Sequence, residues 1–286
     1  LGGEQVKILE EATKMQRAVR QDENSAKSML READRLTNAS KFFADFGSDY
    51  AKATAPEAKL KLVKERFPLI NKTERSIATV LPKSQKVVAE TAAPIDGDRA
   101  SCRTRECEMG NLVADAMVDR VKDQGITLAI ANGGGLRASI DQGPVTMGEV
   151  YTVLPFQNTL ATFQLTGADV VAALENGASQ YEEGAGRFAQ VSGLKYTVDP
   201  AAETGSRISD VMVMGDGDWQ PIDPAATYGV VSNNYMRSGG DGYDVFATNA
   251  QNAYDFGPDL AQVVADYLAA QDGAYQPAMD GRITVK

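Results

Sequence analysis

The stretch Ile126-Thr127-Leu128-Ala129-Ile130-Ala131-Asn132-Gly133-Gly134-Gly135-Leu136-Arg137 decides how the chain folds. Its first six residues are an apolar run of strand length, and the glycines end it in a loop. Glycines at 133–135 allow backbone amides to approach an anion closely, and Arg137 can neutralise that anion. By itself such a loop is more often an ordinary turn. The loop is neither a dinucleotide fingerprint, which needs a third glycine three positions on, nor a P-loop, because no Gly-Lys-Ser/Thr follows.

Working outward, residues 110–123 have helical spacing, with Leu112, Ala116, Val118 and Val121 apolar. Val87–Thr91 is a predicted strand, and Asp96-Gly97-Asp98 a turn. Residues 168–177 predict a helix with Ala172, Ala173 and Leu174 inward and Gly177 as its stop. Runs at 211–214 and 219–222 flank Gly215-Asp216-Gly217-Asp218, a hairpin signal. A strand at 228–232 leads into Gly239-Gly240-Asp241-Gly242, and a helix at 259–268 precedes a strand at 282–285. Helices and hairpin-linked strands are interspersed, which predicts an α+β domain with a mixed sheet over residues 83–286. Residues 1–82 differ: Ile8, Ala12, Met15 and Val19 repeat at helical spacing, and a helix from Pro56 would bury Leu60, Val63 and Phe67. This all-helical N-terminal segment is expected to be a hairpin or small bundle serving as linker or assembly element, with self-association as its expected use.

Composition narrows the chemistry. Among 286 residues there is no histidine, which excludes Ser-His-Asp and Cys-His nucleophile systems and His-ligated metal sites. The net charge is −10, and it is unevenly spread. Residues 1–82 carry 15 Lys and Arg against 12 Asp and Glu, and residues 83–286 carry 14 against 27. An acidic chain argues against nucleic acid or an anionic membrane as partner. No apolar run reaches the roughly 18 residues of a membrane span. Leu1-Gly2-Gly3 in place of Met predicts a mature or trimmed product. The two cysteines, Cys102 and Cys107, permit a small disulfide loop, a pair of reduced thiols or, less well, half of a metal site.

Other candidates are individually weak. Arg103 and Arg105, between the cysteines, suit phosphate or carboxylate binding, or pair with Glu106 or Glu108 at the surface. Phe156, after Leu154-Pro155, reads as core or as a platform for a base, with core favoured from the residues alone. Tyr235 precedes a loop that could aim Asp241 at sugar hydroxyls. The Asp216, Asp218 and Asp223 cluster fits a hairpin turn better than a calcium loop.

Taken in order, Cys102-Arg103-Thr104-Arg105-Glu106-Cys107, the 108–117 helix, Asn132–Arg137, Val153–Phe156, Gly186–Gly193 and Gly239–Tyr243 make a specific pattern. Over about residues 83–286 the sequence resembles the C-terminal substrate-binding domain of the 5'-nucleotidase and UDP-sugar hydrolase family. The resemblance implies that Arg103 and Arg137 hold substrate phosphates, with Gly134 in the same loop, and that Asn132 contacts the nucleoside. It implies that Phe156 and Tyr235 clamp a base and that Asp241 accepts hydrogen bonds from ribose hydroxyls. Tyr235 stands where phenylalanine is common in the family, and the ring face is retained. Cys102 and Cys107 match a disulfide seen in some members, which implies a periplasmic or extracellular location.

The resemblance also implies a departure. The family hydrolyses phosphate esters in a preceding metallophosphatase domain whose two metals are held by histidines, aspartates and an asparagine. A histidine-free chain cannot build that centre, so no catalytic residue, metal ligand or cofactor is expected here. Divalent metals are implied only for a metallophosphatase domain or partner chain. The expected function is nucleotide recognition for a 5'-nucleotidase-like hydrolase in nucleotide catabolism. The alternative is a non-catalytic binding or assembly protein that reuses the domain, with the N-terminal helices mediating association.

Overall fold

From Leu128 the run at 126–131 folds as a strand buried on both faces, while Ile126 and the exposed Thr127 precede it. The computed structural model describes residues 85–286 apart from Asp216; the helical segment expected over residues 1–82 lies outside them. Side chains alternate across a strand, and here both sides find apolar partners. Leu128 and Ile130 join a cluster with Phe163, Val230, Tyr243 and Phe246. Ala129 and Ala131 join another with Met117, Val231, Val264 and Leu268. A strand of this kind reads as continuously apolar, without alternation.

In chain order the first elements are β1 (Val87–Thr91), α1 (Arg99–Cys102), α2 (Glu108–Val121), β2 (Leu128–Asn132), β3 (Gly143–Thr146) and α3 (Met147–Val153). There follow β4 (Leu160–Thr166), α4 (Gly167–Ala178), β5 (Ala189–Ser192), β6 (Leu194–Val198), β7 (Ile208–Met214) and β8 (Trp219–Pro221). The last are β9 (Thr227–Asn233), α5 (Asn234–Arg237), α6 (Asp244–Thr248), β10 (Gln251–Tyr254), α7 (Leu260–Ala269) and β11 (Ile283–Val285). The main sheet has the order β10-β4-β9-β2-β5, a second has β11-β6-β7-β8, and β1 pairs with β3. Strands β2 and β9 are parallel, as are β6 and β11, and the other pairs are antiparallel. The domain is therefore mixed α/β with mixed sheets.

Several predicted boundaries move for local reasons. Helix α2 starts at Glu108 because Cys107 caps it, its Sγ accepting the Gly110 amide at 3.2 Å. Asp96-Gly97-Asp98 is not a free turn but the entry to α1, where Asp98 accepts the Ala100 amide. Gly177 does not stop α4; it is buried inside the helix, which runs to Ala178. Ala172 is exposed, and Val170 takes the inward position beside Ala173 and Leu174. The strands that flank 215–218 pair as predicted, Met214 with Trp219.

Glu106, inside the cysteine loop, is 5% exposed and holds the C-terminal end in place. It accepts from Asn111 Nδ2 (2.7 Å), the amides of Asp280 and Arg282 (both 2.8 Å) and the amide of Ile283 (3.3 Å). A buried carboxylate with four donors satisfies the rule that buried charge needs hydrogen bonds. It is thereby unavailable to Arg103 or Arg105, so the predicted surface ion pair with Glu106 does not form. Arg105 instead donates to Ser101 Oγ at 3.1 Å.

Candidate functional site

The parallel pair β2–β9 fixes the location of the site. In mixed α/β sheets, ligands bind beyond the carboxyl ends of parallel strands, where the connecting loops diverge. Strand β2 ends at Asn132 and opens into the 133–135 turn; β9 ends at Asn233 and opens into α5, which carries Tyr235. The antiparallel neighbours begin at the same edge, Leu160 of β4 facing Asn233 and Ala189 of β5 facing Asn132. The loops before them supply Phe156, Asn158 and Gly186. Together these loops and the cysteine loop enclose a cleft of about 510 Å³.

All seven residues singled out from the sequence line this cleft: Arg103, Asn132, Gly134, Arg137, Phe156, Tyr235 and Asp241. Gly135, Asn158 and Gly186 line it as well and were not singled out. Gly186 stands in a quoted motif, but nothing in the motif assigned it a role. Asn158 follows the aromatic by two residues in a loop with no periodicity to mark it.

Phe156 and Tyr235 are each 47% exposed. Phe156 is thus not core, as its sequence context alone suggested; Leu154 takes the buried position in that loop. The Arg137 guanidinium lies over the Phe156 ring, 5.4 Å from its centroid, and its Nη1 donates to Gly134 O at 3.4 Å.

Asp241 sits in the left-handed region at φ 55°, a costly conformation for a non-glycine residue unless its surroundings impose it. They do. Tyr235 Oη donates to Asp241 Oδ1 (2.9 Å) and accepts the Asp241 amide (3.2 Å). Asn132 Nδ2 donates to Asp241 Oδ2 at 2.7 Å, and Asn176 Nδ2 donates to its carbonyl at 3.2 Å. Asn233 Nδ2 in turn donates to Asn132 Oδ1 at 3.0 Å. Each carboxylate oxygen keeps a lone pair for a further donor. Asn176 and Asn233 are supporting residues that the sequence reading missed, because each reaches the site from another element.

The glycine loop works differently from the expectation. The amides of Gly133 and Gly134 are not free for an anion, since they donate to Phe188 O (2.8 Å) and Gly186 O (2.7 Å). A Cβ on Gly134 would lie 2.7 Å from Gly186 Cα, so glycine here permits two backbones to touch. Anion recognition falls to side chains. Arg103 donates through Nη1 to Gly184 O at 3.3 Å, and its Nε has no hydrogen-bond partner among the described residues. Burial lowers the Arg103 pKa from its ordinary value, and repulsion from Arg99 and Arg137 lowers it further against the opposing pull of Asp241. Burial, followed by the hydrogen bond to Asp241, raises the Tyr235 pKa.

Cys102 and Cys107 form a disulfide with 5.2 Å between their Cα atoms. The loop it closes presents Arg103 to the cleft. A family model, the 5'-nucleotidase C-terminal domain, matches residues 86–248.

The chain belongs to the 5'-nucleotidase family.

Its relatives agree. A trifunctional nucleotide phosphoesterase of Bacillus subtilis is 40% identical over 203 residues, covering 70% of this chain and 14% of its own length. A snake venom 5'-nucleotidase of Macrovipera lebetinus is 30% identical over 212 residues, covering 69% of this chain and 52% of its own length. Among solved structures, a 5'-nucleotidase precursor from Thermus thermophilus matches with TM-score 0.72 and 42% identity, over 77% of this chain and 43% of that one. The chain thus spans between 14% and 52% of the length of these relatives. Within this 5'-nucleotidase domain, no group of three or more His, Cys, Asp or Glu among the described residues is placed to share a metal ion. No described helix is long and apolar enough to cross a membrane.

Proposed function

We propose that residues 83–286 recognise a nucleotide for a 5'-nucleotidase-type hydrolase, and that divalent metals and ester hydrolysis are supplied from outside this chain. The observation that carries this reading is the single cleft in which two arginines, two half-exposed rings and a braced Asn–Asp pair converge on one end of the sheet. Arginines match phosphate by charge and geometry. The rings offer faces to a base, and the Asp241 carboxylate offers acceptor positions to vicinal hydroxyls. The names of the relatives, nucleotide phosphoesterase and 5'-nucleotidase, support the same ligand class. Export is supported by the disulfide, which persists in oxidising compartments, and by the venom source of one relative.

Calorimetric titration of the full chain with AMP, adenosine and UDP-glucose, with and without magnesium or manganese, tests the proposal. AMP binding is expected without metal, weakened by Arg137→Ala about tenfold, the loss of one charge-assisted contact. No binding by any of the three ligands overturns it. So does AMP hydrolysis by the purified chain that a chelator abolishes, since that would place a metal centre in this chain.

A further inference from the structure

Resting on that nucleotide reading, we infer that Gln190 is a positioning residue that sets the Arg103 guanidinium for its anion. Gln190 lies on β5, is 0% exposed, and is not among the residues that line the cleft. Its side-chain amide is inserted instead into the loop closed by the disulfide. Nε2 donates to Cys102 O (3.0 Å) and Arg105 O (2.7 Å), and Oε1 accepts the Cys107 amide at 3.3 Å. Those three backbone groups bracket Arg103 on both sides. The disulfide joins the cysteine side chains; the amide holds the backbone of both cysteines and of Arg105 between them. Space for it comes from Gly110, where a Cβ would lie 2.2 Å from Gln190 Oε1.

Only a primary amide meets this demand, because two carbonyls need donors and one amide needs an acceptor. Glutamate would keep the acceptor and lose both donors, and methionine would lose all three contacts while filling the same space. Arg137 is placed independently, through its own amide on Val153 O at 2.9 Å and Nη1 on Gly134 O. Gln190 therefore acts on one of the two cleft arginines and leaves the other in place.

The test is titration of the full chain and its Gln190→Met variant with AMP and adenosine, combined with Arg103→Ala in a double-mutant cycle. Q190M is expected to weaken AMP about tenfold, as the loss of one charge-assisted contact would, and to leave adenosine within about twofold. Q190M/R103A is expected to bind AMP no more weakly than R103A alone, a readout that general loosening of the fold would not give. Equal losses for AMP and adenosine, or losses for the two substitutions that multiply, overturn the inference. Should Q190M not fold, Gln190→Glu carries the same expectation. If the wild-type chain binds no AMP, the nucleotide reading fails. If R103A weakens AMP binding and Q190M does not, only the role of Gln190 fails.

Discussion

Removing the Phe156 ring separates recognition of a base from recognition of its phosphate. An aromatic side chain carries roughly 200 Å² of surface, so 47% exposure leaves about 95 Å² uncovered. A base stacked on one face would cover about half of that. At about 25 cal/mol per Å² the ring contributes roughly 1.2 kcal/mol, and the matching area on the base brings the stack to about 2 kcal/mol, within the range for base–aromatic contacts. Phe156→Ala should thus weaken AMP binding about 30-fold. The ring also seats Arg137, and that exposed cation–π contact contributes about 0.5–1 kcal/mol. Ribose 5-phosphate, which has no base, should therefore weaken no more than about fivefold. Titration calorimetry of both ligands against wild type and variant gives the ratio, expected to shrink about sixfold or more. Equal losses for the two ligands would mean that Phe156 acts only through Arg137, and unchanged AMP affinity would mean that no base stacks there.

Four further perturbations have outcomes set by contacts already described. Tyr235→Phe keeps the ring but removes a donor to the Asp241 carboxylate and the acceptor of its amide, so chemical denaturation should show about 1 kcal/mol lost while AMP binding changes less than about threefold; a tenfold loss would show the hydroxyl itself touching ligand. Because burial and Asp241 raise the Tyr235 pKa above its ordinary 10.0, the hydroxyl stays protonated and AMP affinity is expected to be flat from about pH 7 to pH 9; a fall in affinity across that window contradicts this assignment. Glu106→Ala strands three backbone amides and the Asn111 amide, and should cost about 3–5 kcal/mol in thermal unfolding of the folded domain, against a cost under about 1 kcal/mol if the C-terminal strand were held mainly by its pairing with β6. Replacing Cys102 and Cys107 together by alanine removes a short-loop cross-link, worth about 2 kcal/mol, and the cap on the Gly110 amide, worth about 1 kcal/mol; a stability equal to wild type would show that Gln190 and Glu106 hold the loop unaided.

How much of this was legible in the sequence depends on the range of each contact. Six of the seven cleft residues fall in motifs whose order resembles a family, Tyr235 stands just ahead of the last of them, and side-chain chemistry alone supports a polar anion site. Residues such as Gln190, Asn176 and Asn233 act at a distance along the chain: Gln190 Nε2 meets Cys102 O across 88 positions. No local pattern signals that. Strand β4, with Leu160, Ala161, Thr162 and Phe163 all buried, lacks the alternation that marks a half-exposed strand, and no turn cluster delimits it. Short strands β5 and β6 follow one another with Gly193 between them, so neither stands out as a run. The glycine loop misled in the other direction. Glycine at 133–135 signals close approach, but sequence does not say to what, and the partner of two of these amides is the 186–188 backbone rather than an anion.

An acidic chain can hold an anion because the potential that matters is local. Charges more than about 8 Å apart across solvent are largely screened at physiological salt, so the net charge of −10 says little about a partly enclosed cleft. Arg103 reports that local potential directly. Burial weighs on it first, and next come two neighbouring arginines, both opposing its protonation, with Asp241 the carboxylate acting the other way. In the nucleotide reading, a phosphate placed between Arg103 and Arg137 would offset their mutual repulsion and supply hydrogen bonds in place of lost hydration. The carboxylate beside the arginines does not cancel this, because Asn132 and Tyr235 already hold it with two donors. The same hydrogen bonds that keep Asp241 in its left-handed conformation thus fix the direction in which its carboxylate faces the cleft.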